Sequence, residues 1–332
     1  MYPKKALPFL ILNILSELTD NDHYCSQKDL VAHLERRYDL TVDRKAVGSN
    51  IDLLISLGYD IDQDKYKGGY RLLSRDFDPT EVRFMVDALF SSKSISGKQA
   101  KALAEKLTSK LSKYEQKDYS YIYKSTDVNR SNNNEMFFIV DVISEAIKEK
   151  KLIQFQYLEY NEKGELYNRF ENWYRKVSPY YLINSNGRYY LLGCMNKKKS
   201  PSIFRLDYMY DVKIYEEDEN HKYTPMRKLD GDYEHFDISQ FVNEHIYFYN
   251  TEVITALVEL ASPGEIKDIM DWFGKNATMV TMGEHPQYEI RCDEQALIYW
   301  VMQYGDKVKV LSPASMIEKI KKILDKMQKD YE

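Results

Sequence analysis

The stretch that decides the N-terminal fold is Thr41-Val42-Asp43-Arg44-Lys45-Ala46-Val47-Gly48-Ser49-Asn50-Ile51-Asp52-Leu53-Leu54-Ile55-Ser56-Leu57-Gly58. Val47, Ile51, Leu54 and Leu57 recur at helical spacing and form one apolar stripe. Thr41 is the predicted N-cap, and Gly58 stops the helix as a C-terminal glycine does. With the stripe turned inward, Arg44, Lys45, Gly48, Ser49 and Asp52 share the opposite face. Two cations near the start of such a helix can reach base edges or phosphates of duplex DNA, and Ser49 can donate or accept there. Gly48 costs about 1 kcal/mol of helix propensity relative to Ala. Either it lets the helix sit close to DNA, or it marks a tolerant surface site.

The flanking residues supply the other parts. Leu7, Leu10, Ile11, Ile14, Leu15 and Leu18 predict a helix over 5–18. Ser26, followed by Asp29, predicts an N-cap for a second helix that buries Leu30, Val31 and Leu34 and ends near Arg37. After Gly58, Tyr59-Asp60-Ile61-Asp62 and Gly68-Gly69-Tyr70-Arg71-Leu72 predict a β-hairpin. Three helices and a hairpin in this order make a winged helix-turn-helix over 1–75, with Lys65 and Lys67 in the wing as phosphate contacts. Taken singly, each of these cations reads as a solvated surface charge; the ordered set points to DNA. Asp60, Asp62 and Asp64 on the wing favour the alternative, a non-DNA adaptor whose winged helix contacts protein.

Bulk properties restrict the rest. A chain of 332 residues calls for two or three domains. With 43% hydrophobic and 30% charged residues it reads as a soluble globular protein. No window approaches ~18 consecutive apolar residues, so no membrane span is expected. The start lacks the pattern of a signal peptide, and a cytoplasmic location is expected. Cys25, Cys194 and Cys292 are odd in number and far apart, against a disulfide framework or a cysteine zinc site. The net charge of −5 does not exclude nucleic acid, because local charge decides that binding. His23, His33, His221, His235, His245 and His285 show no metal-ligand spacing, and Walker, dinucleotide and metalloprotease motifs are missing. Hence no catalytic residue, metal or cofactor is expected, and the acidic run at 216–219 reads as a solvated linker before it reads as a metal site.

Asp78-Pro79-Thr80-Glu81 opens a helical connector over 76–150. Helix is expected to resume at 97–111. After a polar loop at 127–134, another helix at 135–150 should bury Phe138, Ile139, Val142, Ile143 and Ile147. From there the period changes to 2. Ile153, Phe155 and Tyr157 alternate, Tyr189-Tyr190-Leu191-Leu192 and Ile203-Phe204-Arg205-Leu206 are further strands, and Asn184-Ser185-Asn186-Gly187 is a tight turn. Short strands at this spacing predict a small barrel or sandwich over 151–220. Residues 245–332 alternate strand and helix, a small α+β unit. The whole is an α+β multidomain chain.

Several ordered segments carry a family resemblance. Thr41 to Gly58 with Gly68-Gly69-Tyr70-Arg71-Leu72, then Ile153-Gln154-Phe155-Gln156-Tyr157, resemble the first parts of the WYL-domain transcription regulators. Val177-Ser178-Pro179-Tyr180-Tyr181-Leu182 and Gly187-Arg188-Tyr189-Tyr190-Leu191-Leu192-Gly193 are similar to that family's central signature. Phe204-Arg205-Leu206-Asp207 looks like its next strand, and Tyr304-Gly305 through Pro313 like its C-terminal extension. Tyr189-Tyr190-Leu191 stands where the family has Trp-Tyr-Leu, and Gly48 stands where a larger polar residue is common.

The resemblance implies an Sm-like (SH3-type) β-barrel, the WYL domain, with a basic aromatic pocket that senses a small nucleic acid or nucleotide. It also implies a homodimer in which the C-terminal extension takes part. Arg175, Arg188 and Arg205 would hold phosphate, and Tyr157, Tyr181 and Tyr190 would offer stacking surfaces. Without the resemblance, the same residues read as salt-bridged arginines and core tyrosines. The function expected is a ligand-responsive regulator that binds operator DNA and is not an enzyme.

Overall fold

The computed structural model describes residues 3–64, 68–119, 131, 133–170, 173–196, 198–231 and 233–332. The chain divides into two compact units, Met1–Asn134 and Glu135–Glu332.

In the first unit, helix α1 spans Leu7–Leu18 and buries Leu7, Leu10, Ile11, Ile14, Leu15 and Leu18. Strand β1 is Cys25–Ser26, helix α2 Gln27–Tyr38 and helix α3 Arg44–Ser56. Ser26 caps α2 as expected: its hydroxyl accepts from the Asp29 amide while the Asp29 carboxylate accepts from the Ser26 amide. The cap of α3 differs from the sequence expectation. It is Asp43, whose Oδ1 accepts from the Ala46 amide at 2.7 Å, and not Thr41 two residues earlier. A carboxylate in the cap position also faces the positive end of the helix dipole, which gives Asp43 the advantage over the hydroxyl.

Val47, Ile51 and Leu54 point inward and join Leu30, Leu34 and the α1 stripe in one core. Each such fully buried aliphatic side chain contributes about 1.5–3 kcal/mol. Leu57 ends up exposed, because the chain has already left the helix there. Gly58 takes φ +96°, a conformation only glycine adopts without strain. Strands β2 (Ile61–Asp64) and β3 (Gly69–Leu72) then pair antiparallel, and β1 adds a third strand through Cys25↔Tyr70 and Ser26↔Gly69. A two-residue strand carries too little periodicity to be read from sequence.

The same unit continues with α4 (Pro79–Ser91), α5 (Gly97–Thr108) and α6 (Glu115–Asp118). Buried Asp20 fastens this part to the first helices: its Oδ2 accepts from the Ser112 hydroxyl at 2.6 Å. Thus the stretch 76–150 is shared between the units, with α4 to α6 in the first. The polar loop expected at 127–134 lies largely outside the described residues.

The second unit opens with α7 (Met136–Glu149), which buries Met136, Ile139, Ile143 and Ala146. Phe138, expected inside, is 56% exposed, since Met136 takes the inward position of that turn. Strands β4 (Leu152–Tyr157), β5 (Glu159–Tyr160), β6 (Leu166–Tyr167), β7 (Arg175–Ser185), β8 (Arg188–Met195), β9 (Ser202–Arg205) and β10 (Met209–Tyr215) follow. The β5–β6 pair forms a separate two-stranded ribbon. The other five strands form one antiparallel sheet in the order β10-β4-β7-β8-β9.

Among the described residues no pairing joins the outer strands β9 and β10, so the sheet is open, where a closed barrel was expected. The β7–β8 turn is as read from sequence: Asn186 and Gly187 both have positive φ, at 51° and 72°, the geometry of a type I′ hairpin.

A segment with little regular structure, containing α8 (Ile238–Glu244), leads to the last sheet. That sheet holds β11 (Val253–Leu260), β12 (Ala277–Thr281), β13 (Gln287–Asp293) and β14 (Val308–Ser312) in the order β12-β13-β11-β14. Helices α9 (Ile266–Phe273), α10 (Glu294–Tyr304) and α11 (Ala314–Tyr331) complete it. Their common core is centred on fully buried Trp300 and Tyr288.

Candidate functional site

In the first unit the exposed face of α3 carries the expected polar set. Arg44 and Lys45 are its first two residues and both are exposed. Neither is held in an ion pair among the described residues. Ser49 is exposed and its hydroxyl donates to the Lys45 carbonyl at 3.0 Å, which leaves its lone pairs free to accept. Gly48 departs from the sequence expectation. It is half-buried, and a Cβ there would stand 3.4 Å from the Gln27 side-chain nitrogen at the start of α2. The position looks toward α2, not straight out to solvent. Lys65 and Lys67 lie outside the described residues. The acidity of the hairpin is partly compensated: Asp62 accepts from Arg71 at 2.8 Å and from the Tyr24 hydroxyl at 3.2 Å.

In the second unit contacts link four of the six expected ligand residues, Arg175 to Tyr157, Tyr157 to Arg205, and Arg205 with Arg188 through Asp207. Arg188 opens β8 and Arg205 closes β9. Both donate to Asp207 Oδ2, at 3.0 and 2.7 Å, and Arg205 Nε reaches the other oxygen at 3.1 Å. Asp207 is only 3% exposed. Burial works against the charge on Arg205, but the hydrogen bonds to Asp207 outweigh it and hold the guanidinium more firmly protonated than usual. Its centre also lies 4.1 Å over the Tyr208 ring. Tyr157 joins this group from β4: its hydroxyl accepts from the Arg205 amide at 3.0 Å, and burial pushes its pKa up to about 12. The cluster carries two cations, one buried carboxylate and two tyrosine rings, so it retains net positive charge.

Tyr190 and Tyr181 are elsewhere employed. Tyr190 is buried and stacks on Phe248, with ring centroids 4.3 Å apart and planes 13° from parallel. Tyr181 leans on Phe236 at 5.4 Å. The chain's own 236–248 segment therefore occupies the ring faces that a base would need.

Arg175, at the start of β7, does not pair with Asp207. Its guanidinium lies 5.2 Å over Tyr157 and 5.0 Å from the Trp173 ring. It borders a cleft of about 470 Å³ with Lys176, Gln154, Asn196 and His221. Sequence reasoning missed Asp207, Tyr208, Trp173, Lys176 and His221 as members of these sites. Asp207 had a signal, since it follows Arg205 by two residues inside a quoted motif. His221 had none: it meets Lys176, 45 positions earlier, only through the fold. Asp218, from the run read as a linker, binds the His221 Nδ1 at 2.8 Å.

Comparison with known proteins places this geometry. The WYL domain model matches residues 139–214, from α7 to the end of β10, and the WCX domain model matches residues 291–328, from the end of β13 into α11. The chain carries a WYL domain and a WCX domain. The family resemblance read from its motifs holds. A 160-residue stretch is 28% identical to "Uncharacterized HTH-type transcriptional regulator YobV" of Bacillus subtilis (strain 168), covering 48% of this chain and 47% of that protein. The match thus spans about half the length of the curated relative.

Among solved structures, the "Proteasome accessory factor B/C (PafBC) of Arthrobacter aurescens" overlaps 95% of this chain and 46% of its own, with 16% identity and a TM-score of 0.25. A "CRISPR Cas-related protein" overlaps 99% of this chain and 85% of its own, with 14% identity and a TM-score of 0.40. Both overlaps are too loose to support a functional parallel. Among the described residues of this WYL-domain protein, no helix is long and apolar enough to cross a membrane.

Proposed function

We propose that this WYL-domain protein is a ligand-responsive transcription regulator. Residues 1–75 act as a winged helix-turn-helix on duplex operator DNA, and the open, Sm-like sheet of the WYL domain senses a phosphate-bearing ligand, a small nucleic acid or nucleotide. The observation that carries the reading is α3 itself. Its inner face is buried, while Arg44, Lys45 and Ser49 are exposed on its outer N-terminal turns. That is the arrangement by which a recognition helix presents donors to the major groove. The HTH-type regulator among its relatives supports the same assignment.

One such module covers one half-site, so specific binding calls for two copies, and the WCX-bearing sheet is proposed to contribute to that homodimer. The ligand half of the proposal draws its support from the cationic residues of the sheet, Arg175, Arg188 and Arg205.

The test is titration of the full chain against duplex DNA from upstream of its own gene, at several salt concentrations. Affinity should fall steeply with salt, as phosphate-contacting proteins do. Arg44→Ala with Lys45→Ala should weaken binding at least tenfold at moderate salt and leave the melting temperature unchanged. Binding as tight as the parent's would remove α3 from the interface.

A further inference from the structure

The segment that leads from the five-stranded sheet to the last sheet walls a cleft of about 670 Å³, completed by Ser200, Pro201 and by Arg291 of β13. That volume is within the range of small-molecule sites. Its charge is opposite in sign to that of the arginine-bearing sheet. Asp237, Glu244 and Glu252 line it, against the single guanidinium of Arg291. Asp237 Oδ1 caps α8, accepting from the Ser239 and Gln240 amides at 2.7 and 3.2 Å. The Glu252 carboxylate takes no ion pair or hydrogen bond among the described residues.

Exposed carboxylates are commonly just solvated, so two buried side chains decide what the cleft fits. Glu244 is 7% exposed and His245 5%, and both line it. Gln240 Nε2 and Arg291 Nε donate to the same oxygen, Glu244 Oε1, at 2.7 and 2.6 Å. Glu244 Oε2 accepts from no group among the described residues. His245 Nδ1 lies 2.8 Å from the Phe241 carbonyl, which can only accept, so Nδ1 carries the proton. In the neutral ring Nε2 is then an acceptor, and it makes no hydrogen bond among the described residues. Both atoms stay accessible, and the opening that both side chains border is the cleft. Buried polar groups normally find a partner; here two neighbouring acceptors lack a donor.

Aromatic rings supply much of the remaining wall. Phe241 stacks on His245 with centroids 4.0 Å apart, Phe236 lies 5.5 Å from Phe241, and Tyr233 lies 6.1 Å from Phe236. Ring faces beside carboxylates attract an organic cation. Among the described residues no three His, Cys, Asp or Glu side chains converge to hold a metal ion, so the geometry fits an organic cation and not a metal.

We propose that this cleft binds a small primary amine in its ammonium form, with N–H groups on Glu244 Oε2 and His245 Nε2 and an apolar body against Phe236 and Phe241. Asp237 and Glu252, both exposed, add attraction at the rim. The inference goes beyond the sensing half of the proposed function: it concerns other residues and a ligand of opposite charge.

The experiment is calorimetric titration of the full chain near neutral pH with three probes that share one body. Phenethylamine carries charge and N–H donors, its N-trimethyl analogue carries charge alone, and 2-phenylethanol carries no charge. The parent should bind phenethylamine about tenfold or more tighter than either analogue, the scale of a hydrogen bond to a charged group. Glu244→Gln should weaken the amine by about tenfold or more. Glu252→Gln and Asp237→Asn should each weaken it about twofold to fivefold, as for one solvent-screened charge, with unchanged melting temperatures. Glu318→Gln removes the same charge from α11, outside the cleft, and should change nothing.

Three outcomes overturn the proposal: a parent that does not bind phenethylamine at millimolar concentration, a parent that binds either analogue equally well, or rim variants that both bind like the parent. The rim pair decides if Glu244→Gln melts several degrees lower. None of these readouts involves DNA or a phosphate-bearing ligand, so failure here and failure of the proposed function are told apart.

Discussion

Arg205 Nη2 lies 2.7 Å from Asp207 Oδ2, the same oxygen that Arg188 reaches at 3.0 Å. One buried carboxylate thus ties the end of β9 to the start of β8. Asp207→Asn removes the charge that both guanidiniums face, and each is only about a quarter exposed. The expected loss is about 3 kcal/mol, the lower end for breaking a buried pair. Urea unfolding of parent and variant measures it. A loss under about 0.5 kcal/mol, the range of an ordinary surface change, would mean that the cluster is a solvated ornament of the sheet.

Gly48→Ala should stabilise the first unit by about 0.5–1 kcal/mol, the helix propensity recovered. The new methyl meets only the flexible end of Gln27, at an ordinary contact distance of 3.4 Å. Thermal unfolding checks the sign. DNA affinity should stay within about twofold if Gly48 looks toward α2. A large loss would restore the close-approach role that sequence alone left open.

Asp20 predicts an acid-side stability slope. Burial by itself raises its pKa, but bonds from Ser112, His23 and the Asp22 amide outweigh it, and the net pKa lies below the usual value. A carboxylate with a lowered folded pKa adds stability that is fully present above its unfolded pKa of about 3.9. That contribution is lost as pH falls through the folded value. Asp20→Asn should cost about 1–3 kcal/mol at neutral pH. It should also flatten the decline of urea stability below about pH 4. Parallel acid-limb slopes for parent and variant would contradict the assignment.

Phe248 holds φ +56°, uncommon for a bulky residue, and it covers the Tyr190 ring. Both belong to one core cluster with Ile183 and Leu192. Phe248→Ala should cost about 3–5 kcal/mol, as for other buried aromatics. Equilibrium denaturation decides between this anchoring role and a loosely seated ring, for which the cost would fall below about 1 kcal/mol.

Local patterns were legible in the sequence because short-range physics writes them. The α1 and α3 stripes follow from the 3.6-residue turn, the Ser26 cap from a side chain that satisfies a free amide, and the Asn186-Gly187 hairpin from residues that tolerate positive φ. The motifs around Tyr190 and Arg205 were also enough to identify a WYL domain. Partnership was not legible. Nothing in the chain says that Asp207 takes two arginines while Arg175 packs against Tyr157 and Trp173, that Phe248 covers Tyr190, or that His221 meets Lys176. Those pairings join residues up to 58 positions apart, as with Tyr190 and Phe248. They depend on sheet register and on where the 216–252 segment returns, which are set by burial summed over the whole unit. Sequence therefore determined which side chains could carry charge or stack, and the tertiary structure alone decided which of them pair with one another.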